Sequence, residues 1–291
     1  MFVLRKIEKM KTALVLEGGA KRGIYTAGIL DVLAENNIAT DAVFGVSAGA
    51  IHGCTYVAGQ IGRSIRYNMK YGNDPRFMSI QNWIKTGNVV DTDFCYYELP
   101  EILDPFDHET FEKSNIKFYA VCSNVETGKA EYIHCKELRQ GRGINYIRAS
   151  ASLPFFSKIV ETDGKKLLDG GICDSIPLEA SQNLGYEKNI VIMTRPQSYR
   201  KKKSNNAWLA KLVYRKFPKF AEAIINRHIM YNNEVEYINN QKIFGKTLVL
   251  QPTEELDIGR MERDLTKVKN VYEIGRADAI ANLEKIKEFL K

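Results

Sequence analysis

The run Gly45-Val46-Ser47-Ala48-Gly49 spells G-x-S-x-G, a pattern that sets a serine on a sharp strand-to-helix turn with its hydroxyl lifted clear of a sheet. Apolar-leaning residues from Ala42 to Val46 precede it and a helical pattern follows, which is the context the turn requires. A serine hydroxyl is a weak nucleophile until a base takes its proton and donors hold the developing oxyanion. Two glycine-containing segments offer such groups. Gly18-Gly19-Ala20-Lys21-Arg22-Gly23 ends a strand and opens a helix, so its backbone N–H groups suit an anion or a transient oxyanion. It lacks the Lys-Ser/Thr pair of a P-loop after Gly23, and Ala20 breaks the dinucleotide pattern G-x-G-x-x-G. Asp169-Gly170-Gly171 follows a hairpin signal and reads as an exposed turn whose carboxylate reaches across a sheet. Each of the two segments also has a plain structural reading, as a tight turn without a ligand.

Histidine is the usual base for such a serine, and the chain has four. His52 lies five residues beyond Ser47, about 140° around the same helix, and cannot reach back. His108 follows a turn and His134 falls in a predicted strand. His228 alone comes after Asp169, so a Ser47, Asp169, His228 order is formally available. An α/β-hydrolase, however, builds several strands before its elbow, and the 46 residues ahead of Ser47 hold about two. A Ser47–Asp169 dyad is the better fit.

The elements that must position these residues follow from periodicity and turn signals. Strands are predicted over residues 12–17, up to Val46, over 117–124 with a partner at 131–134, over 158–161 and 166–168 as a hairpin, over 189–194 and over 247–251. Helices are predicted over residues 23–36, 47–58, 144–150 and through the tail 263–291, while 60–110 is mixed. Strands alternating with helices in the first half imply a mostly parallel sheet covered on both faces.

At 291 residues with 44% apolar and 26% charged side chains, the composition is that of a globular protein. No apolar run approaches the ~20 residues of a membrane span. The basic start, Met1 to Lys11, is followed by too short an apolar stretch for a secretory leader. Five scattered cysteines without a C-x-x-C pair read as reduced thiols of a cytoplasmic protein. The net charge of +7 is local. Between Ser198 and His228 stand nine Lys/Arg against one acid, Glu222. Trp208, Leu209, Leu212, Val213, Phe217 and Phe220 recur there at helical spacing among Lys211, Arg215, Lys216 and Lys219, with Pro218 ending or kinking the helix. Such a segment fits an anionic membrane surface, a peripheral contact through residues 198–228, and equally a core helix with a solvated basic face. No nucleic-acid motif accompanies the charge. Asp91-Thr92-Asp93 does not make a calcium loop, because Tyr96 and Ile102 occupy the glycine and bidentate-acid positions. No metal or other cofactor is expected.

Taken in order, Glu17 to Gly23, Gly45 to Gly49, Ala149-Ser150-Ala151-Ser152-Leu153-Pro154 and Asp169-Gly170-Gly171 resemble the patatin-like phospholipases, and the remainder, through Gly259-Arg260 and the helical tail, is similar to an intracellular bacterial subgroup. The resemblance covers about residues 12–195 and departs where Ala20 replaces a glycine common in the family. It implies a three-layer α/β fold with a mostly parallel central sheet and a C-terminal helical extension. The implied division is a hydrolase core over 12–195 and a basic segment and extension over 196–291, packed on the core. It also implies that Ser47 is nucleophile and Asp169 base. Gly18, Gly19 and Ala20 would offer oxyanion donors, supported by Arg22, Gly23, Gly45, Gly49, Gly170 and Gly171. The expected activity is lipid acyl hydrolysis of phospholipids or related fatty-acyl esters. A non-catalytic anion- or lipid-binding module and a soluble esterase or thioesterase are the alternatives.

Overall fold

A computed structural model describes residues 10–141 and 143–291. The basic start of the chain, read above from sequence, lies largely outside these described residues. Thr12–Leu16 and Ala42–Val46 form strands β1 and β2, every residue of which is buried. Both are short apolar runs without polar alternation, the mark of strands covered on two faces. The sheet continues through β3 (Lys117–Asn124), β4 (Lys129–Cys135), β5 (Val160–Thr162), β6 (Lys165–Asp169), β7 (Lys188–Ile192) and β8 (Thr247–Leu250). Their order is β5-β6-β3-β2-β1-β7-β8, with β4 also paired to β3. Strands β1, β2, β3, β7 and β8 are mutually parallel, whereas β4 and β6 run antiparallel to β3 and β5 antiparallel to β6.

The helices are α1 (Gly23–Glu35), α2 (Ala48–Val57), α3 (Arg63–Tyr71), α4 (Ile80–Thr86), α5 (His108–Lys113), α6 (Ile144–Ser150), α7 (Leu178–Asn183), α8 (Leu209–Val213), α9 (Pro218–Ile243), α10 (Leu265–Ala281) and α11 (Leu283–Leu290). Side chains alternate across β1. Leu14 and Leu16 join one core with Ile24, Ile29 and Leu33 of α1 and Val268 and Val271 of α10. Val15 faces the other way, with Val191, Leu178 of α7, and Tyr231, Val235 and Ile238 of α9. The result is three layers, helix, sheet and helix, as the family resemblance implies. Helices α1 and α10 touch backbone to backbone: a Cβ at Gly28 would lie 2.2 Å from the Tyr272 carbonyl oxygen, and one at Gly275 2.1 Å from that of Tyr25. Hydrogen bonds tie the crossing, among them Tyr25 Oη to Asp278 and Tyr272 Oη to Asp31, both 2.7 Å.

The helices add what the sequence reading left open or read differently. The mixed region 60–110 holds α3, α4, α5 and a π-helical turn, Phe94–Leu103, with Pro100 inside it. In the basic segment α8 stops at Val213, and Pro218 neither ends nor kinks a helix but opens the 26-residue α9. Proline fits the first helical position because its missing N–H is one of the donors a helix start leaves unpaired. The tail is helical as expected and consists of two helices, α10 and α11, meeting at Asn282, whose side-chain amide bonds back to the Asp278 carbonyl at 2.8 Å.

Candidate active site

Ser47 links β2 to α2 with φ 54° and ψ −119°, a region that a residue with a Cβ rarely occupies. Its conformation is held from every side. The carbonyl starts α2 by accepting from Ala50 at 2.9 Å. Its own N–H donates to Ser150 Oγ at 2.8 Å, and that hydroxyl donates to the Val121 carbonyl at 2.6 Å. The flanking glycines are required by contact. A Cβ at Gly45 would stand 2.5 Å from Ala50 Cα, and one at Gly49 2.6 Å from the Leu16 carbonyl oxygen.

The loop after β1 lies against this turn. A Cβ at Gly18 would be 3.1 Å from Ser47 Cβ, one at Gly19 2.7 Å from Thr194 Oγ1, and one at Gly23 2.5 Å from Ala48 Cβ. Ala20 has φ 49°. The position where the family often has a third glycine thus adopts the left-handed backbone that glycine takes without strain, and alanine holds it at a cost. Glu17 anchors the loop from below. Buried on the α9 side of the sheet, its carboxylate accepts from Thr194 N at 2.5 Å and from Tyr231 Oη at 2.8 Å. Arg22 follows, half-buried, its Nε without a partner among the described residues; burial lowers its pKa, against the pull of Glu17.

Asp169 is 2% exposed, not on the exposed turn read from sequence. The Asp169-Gly170-Gly171 turn is pressed onto β3, where a Cβ at Gly170 would lie 2.1 Å from the Val121 carbonyl oxygen. Asp169 Oδ1 accepts from Gly171 N at 2.8 Å, and its backbone N–H donates to the Ser152 carbonyl at 2.9 Å. Oδ2 has no well-aligned hydrogen-bond partner among the described residues. Burial raises the pKa of this carboxyl, opposed by Arg227 and then by a hydrogen-bonding pull from the Ser47 side chain. The two side chains are therefore neighbours without a well-aligned bond, as is common before a substrate tightens such contacts. Ser150 and Ser152, one stretch, brace the serine and the aspartate together.

None of the four histidines has Ser47 as its hydrogen-bond partner. His52 Nδ1 pairs with Ser64 Oγ at 2.9 Å, and burial, then Lys21, pushes its pKa down to about 3. His108 pairs with Glu101, His134 stacks on Tyr119 and His228 meets the Ile225 carbonyl. The Asp91-Thr92-Asp93 run caps a helix, Asp91 Oδ1 accepting from Phe94 N at 3.0 Å. Among the described residues no cluster of three or more His, Cys, Asp or Glu could hold a metal ion. The five cysteines are free thiols, three of them buried.

Ser47 opens into a cavity of about 180 Å³, continuous with solvent, whose walls include Ile24, Ile51, Phe77, Tyr96, Leu99 and Leu153. Such an apolar space, with a few polar groups at one end, suits a hydrocarbon ligand. Lys21 lines it too, its ammonium 2.9 Å from Asn68 Oδ1 and 4.6 Å from the Phe77 ring centre. Sequence reasoning missed Ser150, Glu17 and Arg227 as parts of this site. Ser150 was visible only as one serine in a quoted stretch, and Arg227, whose Nε bonds to the Gly171 carbonyl at 2.5 Å, was one cation among nine.

The patatin-like phospholipase family model matches residues 14–181, and a model for a domain of unknown function matches 217–291. The chain belongs to the patatin-like phospholipases. It is 29% identical to the uncharacterized protein YjjU of Escherichia coli over 199 residues, covering 66% of this chain and 54% of that protein. It is 25% identical to lysophospholipase nte1 of Aspergillus niger over 299 residues, covering 97% of this chain and 19% of that protein. Lysophospholipase NTE1 of Cryptococcus neoformans is likewise 25% identical, over 98% of this chain and 18% of its own length. The chain thus corresponds to part of each of these longer relatives. Among solved structures, VipD from Legionella pneumophila superposes with a TM-score of 0.48 at 12% identity, over 95% of this chain and 67% of that one.

Proposed function

We propose that the protein is a serine acyl-ester hydrolase of lipids, phospholipase A-like, working through a Ser47–Asp169 dyad. The observation that carries this is a strained, backbone-clamped Ser47 beside a buried carboxyl whose outer oxygen has no well-aligned partner among the described residues, at the mouth of an apolar cavity. Asp169 takes the Ser47 Oγ proton as Oγ attacks the acyl carbonyl carbon. The carbonyl electron pair moves onto oxygen, where N–H groups of Gly18, Gly19 and Ala20 receive the charge. Collapse expels the alcohol, which regains its proton from Asp169, and leaves an acyl-serine. Water, deprotonated by Asp169, then attacks the acyl carbon and releases the fatty acid with return of the proton to Ser47. A free aspartate is a weak base at neutral pH, and the raised pKa that burial gives Asp169 suits it to the task.

The related lysophospholipases carry lipid substrates in their names, and the apolar cavity has room for an acyl chain. Hydrolysis of acyl esters graded in chain length tests the reading. Activity should rise with chain length and fall by about 10³-fold or more in Ser47→Ala. Turnover equal in Ser47→Ala and wild type would end the proposal; lipid binding without turnover would leave the binding-module alternative. Contact with an anionic membrane belongs to the same proposal. Trp208, Leu212 and Val213 are 58%, 63% and 57% exposed beside Lys211, Arg215 and Lys216, whereas Ala210, Tyr214 and Phe220 from the same stretch are buried. The segment thus divides between a core face and an exposed apolar and basic face. Cytoplasmic residence, with peripheral membrane contact, completes the proposal.

A further inference from the structure

Five cations converge on the α9 side of the sheet, around the outer edge of the serine site. Arg195 follows Thr194 at the end of β7, its guanidinium carbon 4.4 Å from the Tyr199 ring centre. Lys201 Nζ stands 4.3 Å from the Tyr231 ring centre and 5.8 Å from that of Tyr199. Arg227, one turn before Tyr231 on α9, donates to Gly171, the residue whose N–H holds Asp169. Arg22 and Arg260 complete the set, both in electrostatic reach of Lys201, and Arg260 also of Asp169.

The acids nearby do not neutralise this group. Glu17 is engaged by Thr194 and Tyr231, and Glu255 pairs with Arg195. Among the described residues, the side chains of Arg22, Lys201 and Arg260 form no hydrogen bond and no ion pair, and Arg22 Nε is buried without a partner. Arg22, Arg195, Lys201 and Arg227 are half-buried and Arg260 is exposed; holding like charges together there costs free energy that a bound anion would offset. The strain is visible at Lys201, whose pKa burial, and then Arg227, push down to about 7.

Position decides what that anion is attached to. None of the five cations lines the apolar cavity. The cavity is walled from the α1 and α2 side, where Leu16 points, while Glu17 and Tyr231 bring the cations to the opposite face of β1. The Gly18–Gly19 turn and Ser47 lie where the two faces meet. Arg227 bonds to Gly171 beside Asp169, so an ester held at Ser47 with its acyl chain in the cavity would have its alcohol part on the cation side.

We propose that Arg22, Arg195, Lys201, Arg227 and Arg260 form a phosphate subsite that selects acyl esters whose alcohol carries a phosphate without a compensating cation, such as a lysophosphatidate. This rests on the hydrolase reading above. The shared chemistry is phosphate, and head group and free phosphate are separated by experiment. With chain-matched substrates, wild type should turn over a lysophosphatidate with a kcat/KM about tenfold or more above that of the lysophosphatidylcholine and the uncharged monoacylglycerol. Lys201→Met and Arg260→Gln should each shrink that ratio severalfold, and the double variant should bring it near one. Glycerol 3-phosphate should raise the Tm of wild type but not of the double variant, a readout independent of turnover. Equal kcat/KM for the three esters in active wild-type enzyme would overturn the subsite. A ratio unchanged in the double variant would overturn its assignment to these residues. If inorganic phosphate alters monoacylglycerol turnover while no substrate preference exists, the site is one for free phosphate and the head-group assignment falls. Absence of turnover with all three esters would instead sink the hydrolase reading, and the Tm shift would still decide whether the cations bind phosphate.

Discussion

Ser47 and Asp169 both hold states that a stability-only design avoids. A serine at φ 54° and ψ −119° carries backbone strain of about 1–3 kcal/mol, and glycine would relieve it. Ser47→Gly is therefore expected to stabilise the protein by about 1 kcal/mol while abolishing turnover, measured by thermal melts beside an ester assay. Asp169 has its pKa raised by burial, and the sign of its effect follows. Its contribution to stability is complete below the ordinary carboxylate range and is lost as pH rises through the folded value. Asparagine, which never ionises, keeps the Oδ1 acceptor for Gly171 and escapes the loss. Asp169→Asn should melt higher than wild type at pH 7, with the difference closing as pH falls toward 4. The proposed mechanism requires the base form, so kcat/KM should decline on the acid side with its midpoint above the usual aspartate value. A pH profile centred at or below that value would contradict the desolvated base. At this scale the sequence revealed the motif residues and their spacing. It could not reveal that Asp169 is buried, because that depends on Gly170 meeting a carbonyl of β3, nor that Ser150 clamps the Ser47 amide.

The elements that carry the site were readable where the pattern was local and apolar. Strands β1, β2 and β3 and helices α1, α2 and α6 fall within a residue or two of their expected bounds, since the strands and the helices α1 and α2 are largely apolar runs that the fold buries. Helix α9 was not foreseen as a long helix, because Pro218 looked like a breaker and its long polar face carries little contrast. The π-helical turn at Phe94–Leu103 has no periodic signature to read. Nor does the α1–α10 crossing announce itself, since Gly28 and Gly275 stand 247 residues apart in the chain. Their contact yields an element-scale prediction. Gly275→Ala drives a methyl into the Tyr25 carbonyl and should cost about 2–3 kcal/mol by chemical denaturation, where an ordinary helix glycine gains from alanine. Ser150→Ala should cost about 1–2 kcal/mol, because it strands the Ser47 N–H, and should lower kcat more than it raises KM. A variant with wild-type kcat would mean that the elbow holds without this bond.

For the molecule as a whole, the sheet sorts function by face. The apolar cavity lies on the α1 and α2 side, and the basic segment and α9 lie on the other. Uneven charge along the chain was plain in the sequence. Its convergence with Arg22, Arg195 and Arg260 was not, since only folding brings them together. Strand β8 and helix α10 tie the region beyond residue 196 to the core through β7 and α1. The exposed Trp208, Leu212 and Val213 beside basic side chains predict binding to vesicles containing anionic lipid, weakened by salt. Trp208→Ser with Leu212→Ser should reduce co-sedimentation several-fold and leave hydrolysis of a soluble short-chain ester unchanged. The central claim is that Asp169 activates Ser47, and labelling with a fluorophosphonate followed by peptide mapping addresses it most directly. Wild type should be modified at Ser47, and Asp169→Asn, folded by its melting curve, should not. Equal labelling of both proteins, or a folded wild type whose Ser47 stays unmodified, would contradict the account.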